Sequence, residues 1–450
     1  MASESMREVR SDFIDQARYT SKEFAELENT YLWPKVWQWA CRLEEIPLVG
    51  DYVVYDIADQ SVVVVRSAES EVKAFHNVCP HRGRRLYSGR GHITKFHCIF
   101  HAWQWNLNGE NTRVLDHEQW DGCPGMSTEE LALAEVHVAE WAGFVFINMA
   151  EEPESFDEFI EPAREILAPL AIDKMRYCWH NIIDVECNWK VSQEAFMESY
   201  HVWGTHPQFL AFVDERNTSK PEGKHGKHTY TKDLPPGMPS RRLKKSPDMT
   251  VDEIREGFAG FINCLGEQVG NKDMDGQMTA RSIKASKAAL ASCPEGTPIE
   301  DFIGAAVMAM KEAADADGAY FPMPTMDERW AMGEDWNVFP TLSIVHSFDG
   351  TLIFRAKPRG DNPNHATIEM ISLLHYGPGK EPKYQPAHLD DWRSQHKDYI
   401  PPLLVQDLIN MEDVQKGMHS IGLKALRPNP VQEVQITHFH KVINQYVYGE

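Results

Sequence analysis

The spacing of apolar and polar residues divides the chain into stretches of different secondary structure. Between residues 20 and 40 the apolar positions recur near helical spacing, which predicts a short helical arm that is interrupted at Pro34. From Asp51 to about Asn148, valine-rich runs alternate with polar and turn residues, as in a small antiparallel sheet. The first part of the chain is therefore predicted to be a helical arm followed by an all-β domain.

The rest of the chain mixes helical and strand patterns. An acidic, proline-punctuated stretch at residues 151–170 predicts the link into a second domain, and residues 215–330 are helical in character. Strand-like alternation returns between Trp336 and Tyr376, and a helix is expected around Gln406 to Met418. The predicted fold class is α+β, with a helical arm at residues 1–35, an all-β domain at 36–150 and an α+β domain with an antiparallel sheet at 151–450.

Composition narrows the possible partners. The formal net charge of −22, with lysine and arginine scattered along the chain, disfavours nucleic acid and anionic membranes as partners. No apolar run is long enough to span a membrane, and the opening residues lack the pattern of a signal peptide. The eight cysteines are then expected to be reduced thiols, some of them metal ligands. Together these features predict a soluble cytoplasmic protein.

Cysteine and histidine occur together at two places in the strand-rich region. Cys79 and His81 form C-x-H, and after sixteen intervening residues Cys98 and His101 form C-x-x-H. Two thiolates and two imidazoles bind either zinc or a [2Fe-2S] cluster. Because each predicted loop supplies one residue of each kind, the cysteines can bind one iron and the histidines the other. This order favours the cluster over zinc or a chance pairing.

A second candidate metal site begins with His201 and His206. On an ideal helix, residues five positions apart point about 140° away from each other, so the helix must break between them. Gly204 permits a left-handed turn at that point, and Pro207 prevents the helix from resuming. We therefore expect His206 to return to the face that carries His201.

A carboxylate would complete a site of two histidines and one acid, which binds iron(II) and leaves positions for dioxygen and substrate. Asp407 shares a helical stripe with Met411, Val414 and Met418 and is expected to face the core, whereas Glu412 and Asp413 are not. A buried carboxyl group needs a partner, and a metal ion is one. On spacing alone, structural roles for the histidines and helix-dipole compensation by the aspartate stay open.

The residues around both constellations resemble those of Rieske-type non-heme iron oxygenases, specifically the large, terminal oxygenase (alpha) subunits of the aromatic ring-hydroxylating dioxygenase family. The segments CPHRGRRL and CIFHAWQWNLNGE resemble the two cluster-binding loops, and this likeness covers roughly residues 36–149. NWKVSQEAFMESYH with a histidine five residues further resembles the catalytic-domain signature, and DLINME resembles the segment of the third iron ligand.

For the first constellation, the resemblance implies a Rieske [2Fe-2S] cluster. Cys79 and Cys98 would bind one iron, and His81 and His101 the outer iron, where electrons enter and leave. Replacing two thiolates by neutral imidazoles raises the reduction potential to between about −150 and +300 mV. The implied role of this centre is electron relay.

For the second constellation, the resemblance implies a mononuclear Fe(II) ion bound by His201, His206 and Asp407 in a helix-grip or START-like domain. Glu198, one turn before His201, stands where the family usually has aspartate. In the family this acid bridges the iron-site histidine of one subunit to a cluster histidine of its neighbour. The resemblance therefore implies a catalytic role for Glu198 and a head-to-tail homotrimer, with or without a small beta subunit.

The function expected from these features is that of a terminal oxygenase. No G-x-G-x-x-G motif opens a helix after a strand, so a separate NAD(P)H-dependent reductase, directly or through a ferredoxin, is expected to supply the electrons. The leading hypothesis is cis-dihydroxylation of a small aromatic or other apolar ring by O2. The alternatives are a Rieske monooxygenase or oxidative N- or O-demethylase with the same iron, and a non-catalytic iron-sulfur or zinc protein. Phe196, Met197 and Trp203 are candidates to face an apolar substrate.

Overall fold

The computed structural model describes residues 4–230, 234–243, 249–266 and 275–450, and these form two compact units. One unit comprises Glu26–Phe159, and the other comprises Met1–Ala25 together with Ile160–Glu450. The predicted domain limits at residues 36–150 and 151–450 stay a prediction. Within the described residues, every helix is too short or too polar to cross a lipid bilayer.

The opening segment consists of short elements. They are α1 (Glu4–Arg7), β1 (Val9–Arg10), β2 (Phe13–Asp15), α2 (Ala17–Thr20) and α3 (Lys22–Leu27), followed by a π-helical turn at Glu28–Leu32. The helical arm expected before Pro34 is thus present as α3 and this turn.

The unit Glu26–Phe159 is built on antiparallel strands. Its elements are β3 (Gln38–Arg42), β4 (Asp51–Ile57), β5 (Gln60–Ala68), β6 (Glu71–His76), β7 (Arg90–His92), β8 (Phe96–His97), β9 (Gln104–Trp105), β10 (Asn111–Arg113), α4 (Thr128–Leu131), β11 (Glu135–Trp141), β12 (Phe144–Asn148) and α5 (Phe156–Ile160), which crosses into the next unit. A seven-stranded sheet has the order β3-β12-β11-β6-β5-β4-β7, and a three-stranded sheet has the order β10-β9-β8. Valines 62 to 65 of β5 are fully buried, because this strand lies inside the sheet.

The other unit combines one large sheet with helices. Its remaining elements are α6 (Ala163–Leu167), β13 (Arg176–Val185), α7 (Trp189–Glu194), α8 (Val202–Thr205), β14 (Asn217–Glu222), β15 (His225–Tyr230), α9 (Val251–Leu265), α10 (Ala280–Ser292), α11 (Ile299–Asp317), α12 (Met326–Met332), β16 (Asp335–Val338), β17 (Leu342–His346), β18 (Gly350–Pro358), β19 (Ala366–Leu374), β20 (Ala387–Leu389), α13 (Trp392–Tyr399), α14 (Pro402–Met418), β21 (Ala425–Leu426) and α15 (Val434–Tyr448). The eight-stranded sheet has the order β14-β15-β16-β17-β18-β19-β13-β20, and β1, β2 and β21 form a small separate sheet. The predicted α+β fold class, with an all-β unit first, is confirmed.

Helix α7 is fixed to one face of the large sheet by a single buried glutamine. The Gln193 amide donates to Asn337 Oδ1 at 3.0 Å and to Ser343 Oγ at 2.8 Å, and its oxygen accepts from the Ala356 N–H at 3.0 Å. These partners lie on β16, β17 and β18, so α7 is held across three neighbouring strands. Because the buried Gln193 side chain has partners on three strands, this network fixes the end of α7 on the sheet, and with it the start of the segment that follows α7.

Two sequence expectations for this unit need revision. Residues 217–230, expected to be helical, form the hairpin β14–β15, which adds two strands to the edge of the large sheet. Strand β13 lies in the interior of that sheet, between β19 and β20, and was not anticipated. In both places the tertiary environment of the sheet outweighs local composition.

A buried ion cluster joins strands β13, β18 and β19. Glu369 Oε2 lies 2.6 Å from Arg355 Nη2 and 2.9 Å from His180 Nε2, and Glu369 Oε1 lies 3.4 Å from Lys357 Nζ. Burial opposes ionisation, but the charges of Arg355 and Lys357 and the hydrogen bond from His180 hold the pKa of Glu369 well below its usual range. The ionised carboxylate therefore stabilises the fold above its ordinary pKa and loses that effect as pH falls through the depressed one.

Replacing Glu369 by glutamine is expected to lower the free energy of unfolding at pH 7 by about 3 kcal/mol, because the buried Arg355 charge loses its partner. Urea unfolding followed by tryptophan fluorescence measures the change. The difference from wild type should shrink in acid, as the wild-type carboxylate is protonated. The control is E381Q at an exposed carboxylate. Equal losses in the two variants would contradict the assigned role of the ion cluster.

Candidate metal centres

The two Cys–His loops of the all-β unit are tight turns that follow strands β6 and β8. In the first, the Cys79 N–H donates to the Arg84 carbonyl at 2.8 Å and the Gly83 N–H donates to the Cys79 carbonyl at 2.9 Å. In the second, the Cys98 N–H donates to the Trp103 carbonyl at 2.9 Å. Gly83 occupies the left-handed region with φ of 71°. Each turn thus brings a thiol and an imidazole close together along the chain.

The four side chains separate into an inner and an outer pair. Cys79 and Cys98 are 2% and 1% exposed, whereas His81 and His101 are half-buried, with ring centroids 4.6 Å apart. Nδ1 of each imidazole is buried and has no hydrogen-bond partner among the described residues. Trp103 stacks on His81 at 4.7 Å and fixes that ring. Two adjacent thiols and two adjacent orphaned nitrogens are the donor set that a Rieske cluster requires.

Burial raises the pKa of the Cys79 thiol to about 11, and the neighbouring Cys98 thiol adds to this rise. Thiolates at such a position need positive charge beside them, and a bound metal cation supplies it. The residues present therefore fit the cluster that the loop sequences predict.

The segment after α7 carries the two histidines of the second candidate site. Asn188 caps α7 by accepting a hydrogen bond from the Lys190 N–H at 3.0 Å, and α7 ends at Glu194. His201 precedes α8, and His206 follows its last residue with φ of −122°. His201 has helical dihedral angles, so the break that lets both rings converge lies at the end of α8, at His206.

The expected left-handed turn at Gly204 is wrong. Gly204 lies inside α8 and is not among the residues with positive φ. Because His206 itself leaves the helical region, with φ of −122° and ψ of 56°, no left-handed residue is required at Gly204.

His201, His206 and Asp407 come together in space. One ligand atom from each lies within 4.8 Å of the others. His206 Nε2 lies 2.9 Å and His201 Nε2 lies 3.7 Å from Asp407 Oδ1. All three residues are buried or half-buried, so a metal ion here would be shielded from bulk water. Their role as ligands stays a prediction.

The second nitrogen of each ring is held by a side chain outside this cluster. His201 Nδ1 lies 2.7 Å from Glu198 Oε1, and His206 Nδ1 lies 2.8 Å from Gln406 Oε1. When both Nδ1 atoms carry the proton, both Nε2 lone pairs are free for a metal ion. Glu198 was expected next to His201, whereas Gln406 was missed. The sequence signal that could have identified Gln406 is its position directly before Asp407.

Glu198 also sets the electrostatics of the site. Burial opposes the charge on His201, but the Glu198 carboxylate and, to a lesser degree, Asp407 outweigh it and raise the pKa of His201 to about 9. The pKa of Glu198 is lowered, since burial is outweighed by the charge and hydrogen bonds of His201. Negative charge thus accumulates where a metal cation would sit.

The helical stripe predicted for α14 is only partly right. Asp407, Met411 and Met418 are buried as expected, but Val414 is 46% exposed and Glu412 is 1% exposed. Glu412 forms an ion pair with Arg393 and lies 3.4 Å from Trp392 Nε1. A second side of α14 is therefore covered by α13, which the hydrophobic period could not show.

The three residues proposed to face an apolar substrate differ in environment. Phe196 stacks on Phe354 with ring centroids 3.6 Å apart, and Met197 is fully buried. Trp203 is 42% exposed, and its expected place beside an apolar substrate stays a prediction.

An all-β unit with Cys–His loops, followed by an α+β unit with a two-histidine, one-carboxylate cluster, defines the class of Rieske non-heme iron oxygenases. Comparison with known families agrees. Residues 36–123 match the Rieske [2Fe-2S] domain, and residues 172–263 and 277–449 match the ring hydroxylating alpha subunit (catalytic domain). The chain belongs to this family of Rieske oxygenase alpha subunits.

Individual relatives match only part of the chain, at moderate sequence identity. The chain is 32% identical to the glycine betaine monooxygenase oxygenase subunit of Pseudomonas aeruginosa over 44% of its own length and 45% of the relative. It is 32% identical to the alpha subunit of 2-aminobenzenesulfonate 2,3-dioxygenase from Alcaligenes sp. over 45% of this chain and 51% of that protein. The chain thus spans about half the length of the curated relatives it matches.

Similarity of fold extends over nearly the whole chain. The solved structure of a quaternary ammonium Rieske monooxygenase in complex with L-carnitine has a TM-score of 0.64 and 18% sequence identity, and the match covers 97% of each chain. Membership of the family implies a Rieske [2Fe-2S] cluster and a mononuclear iron as cofactors.

Selective loss of metal should separate the two centres. The wild-type protein is expected to contain about three irons and two acid-labile sulfides per chain. C98S should lose the cluster iron and both sulfides, whereas H201A should lose only the mononuclear iron and keep the cluster spectrum. Elemental analysis and electron paramagnetic resonance measure both. The controls are H97A and H388A, at histidines outside the two clusters, and iron loss in these would contradict the assignment.

Removing the charge beside His201 should weaken the mononuclear site. E198Q is expected to bind Fe(II) about 10- to 100-fold more weakly than wild type, because the ring orientation and basicity of His201 depend on that carboxylate. Competition with a chelator gives the dissociation constant. E186Q, at an exposed acid, serves as the control. An unchanged affinity in E198Q would show that the contact does not act on the metal.

Proposed function

We propose that this chain is the terminal oxygenase of a multicomponent enzyme that hydroxylates a carbon bound to the nitrogen of a small methylated ammonium compound. One atom of O2 enters the substrate, and the other leaves as water with two electrons and two protons. The observation that carries the oxygenase assignment is the convergence of His201, His206 and Asp407 within 4.8 Å, with Glu198 and Gln406 fixing the two rings.

In this proposal each residue has a defined task. Cys79, Cys98, His81 and His101 hold the cluster, and His201, His206 and Asp407 hold the iron. When bound, the cluster relays single electrons and the iron activates dioxygen, with open positions left by its three protein ligands. Glu198 accepts a hydrogen bond from the Nδ1–H of His201, so that the Nε2 lone pair stays available to the iron.

The electron supply and assembly follow from the family resemblance. A separate reductase, directly or through a ferredoxin, provides electrons. A head-to-tail trimer brings His101 of one subunit near Glu198 of the next, with or without a small beta subunit. These partners and the cytoplasmic location are part of the proposal.

The electrostatics of the site favour a cationic substrate. Glu198 and Asp407 are buried carboxyl groups beside the proposed iron. Asp335 is a further buried carboxyl group, and burial, with a contribution from the nearby Glu198 charge, raises its pKa. Buried negative charge favours a cation and penalises an anion. The relative from Pseudomonas aeruginosa, named for glycine betaine, supports the same class.

Dihydroxylation of an aromatic ring is the second candidate. The stacked pair Phe196 and Phe354 supplies apolar surface on the side of α7 that meets the sheet. The relative named for 2-aminobenzenesulfonate supports this candidate.

Turnover assays with a surrogate reductase distinguish hydroxylation of an ammonium compound from dihydroxylation of an aromatic ring. The panel contains choline, glycine betaine, carnitine, naphthalene and 2-aminobenzenesulfonate, and the gas phase contains labelled O2. We expect methylated ammonium compounds to be consumed, with one labelled atom per product. A cis-diol with two labelled atoms, formed from an aromatic compound alone, would establish the second candidate instead. H201A, which lacks the mononuclear iron, is the negative control.

A further inference from the structure

Next to the candidate iron site, a buried carboxyl group and a buried imidazole each have one side-chain atom without a hydrogen-bond partner among the described residues. Asp335 on β16 and His228 on β15 are 3% and 4% exposed and face each other in the strand register. His228 Nδ1 lies 3.8 Å from Asp335 Oδ2, too far for a hydrogen bond. Asp335 Oδ1 and His228 Nδ1 both have no partner among the described residues.

The pair faces α7 and the segment that carries the iron-site histidines. Antiparallel register places Asp335 on the same face of the sheet as Asn337, which binds Gln193 of α7. His228 donates a hydrogen bond to the backbone carbonyl of Met197, directly before Glu198. With that proton on Nε2, Nδ1 of His228 is an acceptor, and both it and Asp335 Oδ1 lack a donor among the described residues.

No cation of the described chain compensates this pair. The one ion-pair contact of Asp335 within 4.0 Å is His228. Burial lowers the pKa of His228 to about 4, so the ring is neutral at pH 7. Burial, with a contribution from the Glu198 charge, raises the pKa of Asp335 well above its usual range. A buried carboxyl group that lacks a compensating charge is stabilised when a cation binds beside it.

An aromatic ring completes the surroundings. Tyr230, two residues after His228 on β15, has its ring centroid 5.9 Å from that of the imidazole, and its hydroxyl is hydrogen-bonded to the side chain of Ser199. A carboxyl group beside an aromatic face is the combination that binds ammonium groups.

We propose that Asp335, which lies beside His228 near Tyr230, is the subsite that binds the ammonium group of the substrate beside the iron. This inference rests on the proposed function. It assigns the recognition of substrate charge to strands β15 and β16, whereas the metal ligands come from the α7–α8 region and α14.

Direct binding tests the subsite without catalysis. Isothermal titration of the oxidised holoenzyme uses the methylated ammonium compounds of the turnover panel, each beside its uncharged analogue with carbon in place of nitrogen. We expect D335N to bind the cations at least about 30-fold more weakly, because a buried charge contact is lost. Binding of the uncharged analogues should change less than about threefold, since packing is retained in this near-isosteric variant.

Two controls separate loss of the subsite from loss of the fold. D361N removes one carboxylate from an exposed loop and should bind cations like wild type. Iron content and the circular dichroism spectrum of D335N should match wild type. H228F, which removes the ring nitrogens, should weaken cation binding to an intermediate degree because Asp335 loses its neighbour.

The outcomes distinguish the two proposals. If wild type neither binds nor oxidises any ammonium compound, the proposed substrate class is wrong. If wild type does both and folded D335N binds the same compounds with unchanged affinity, the substrate class stands and the subsite is overturned. Equal weakening for cations and uncharged analogues in D335N would likewise overturn it, because the effect would then be steric.

Discussion

The candidate iron site depends on one arrangement, in which each histidine is held at one ring nitrogen so that the other is directed toward Asp407. Glu198 holds His201 and Gln406 holds His206, both at hydrogen-bond distance. Without these contacts each imidazole could rotate or change tautomer, and the three donors would not converge. The acid and the amide come from different parts of the chain, so the site forms only when α14 packs against the segment after α7.

That packing is itself fixed by the large sheet. Gln193 fastens α7 to three strands through hydrogen bonds to a side-chain amide, a hydroxyl and a backbone N–H. The Glu369 ion cluster lies on strands of the same sheet and satisfies its buried charges internally. Polar groups in both places are nearly all paired, so the sheet forms a rigid platform. Asp335 Oδ1 and His228 Nδ1 are among the buried side-chain atoms of the described residues that lack a partner, and burying such atoms costs free energy that a ligand can restore.

Burial distinguishes the donors of the two candidate centres. The acids near the proposed iron are buried and suit a divalent cation. In the all-β unit the inner thiols are buried and the imidazoles are half-buried. The sulfur side of that donor set is therefore shielded from water, whereas its histidine side is partly exposed.

The sequence by itself determined the features that depend on local spacing: the all-β unit, the two Cys–His loops, and His201, His206 and Glu198 within one short segment. It also indicated Asp407, but through a stripe that the structure only partly supports, since Val414 is exposed and Glu412 is buried. Tertiary structure alone decided that residues 217–230 are strands, that Gln406 holds His206 and that Asp335 meets His228. Local patterns report backbone periodicity and short-range geometry, whereas these pairings join residues far apart in the chain and exist only once helices and strands have packed.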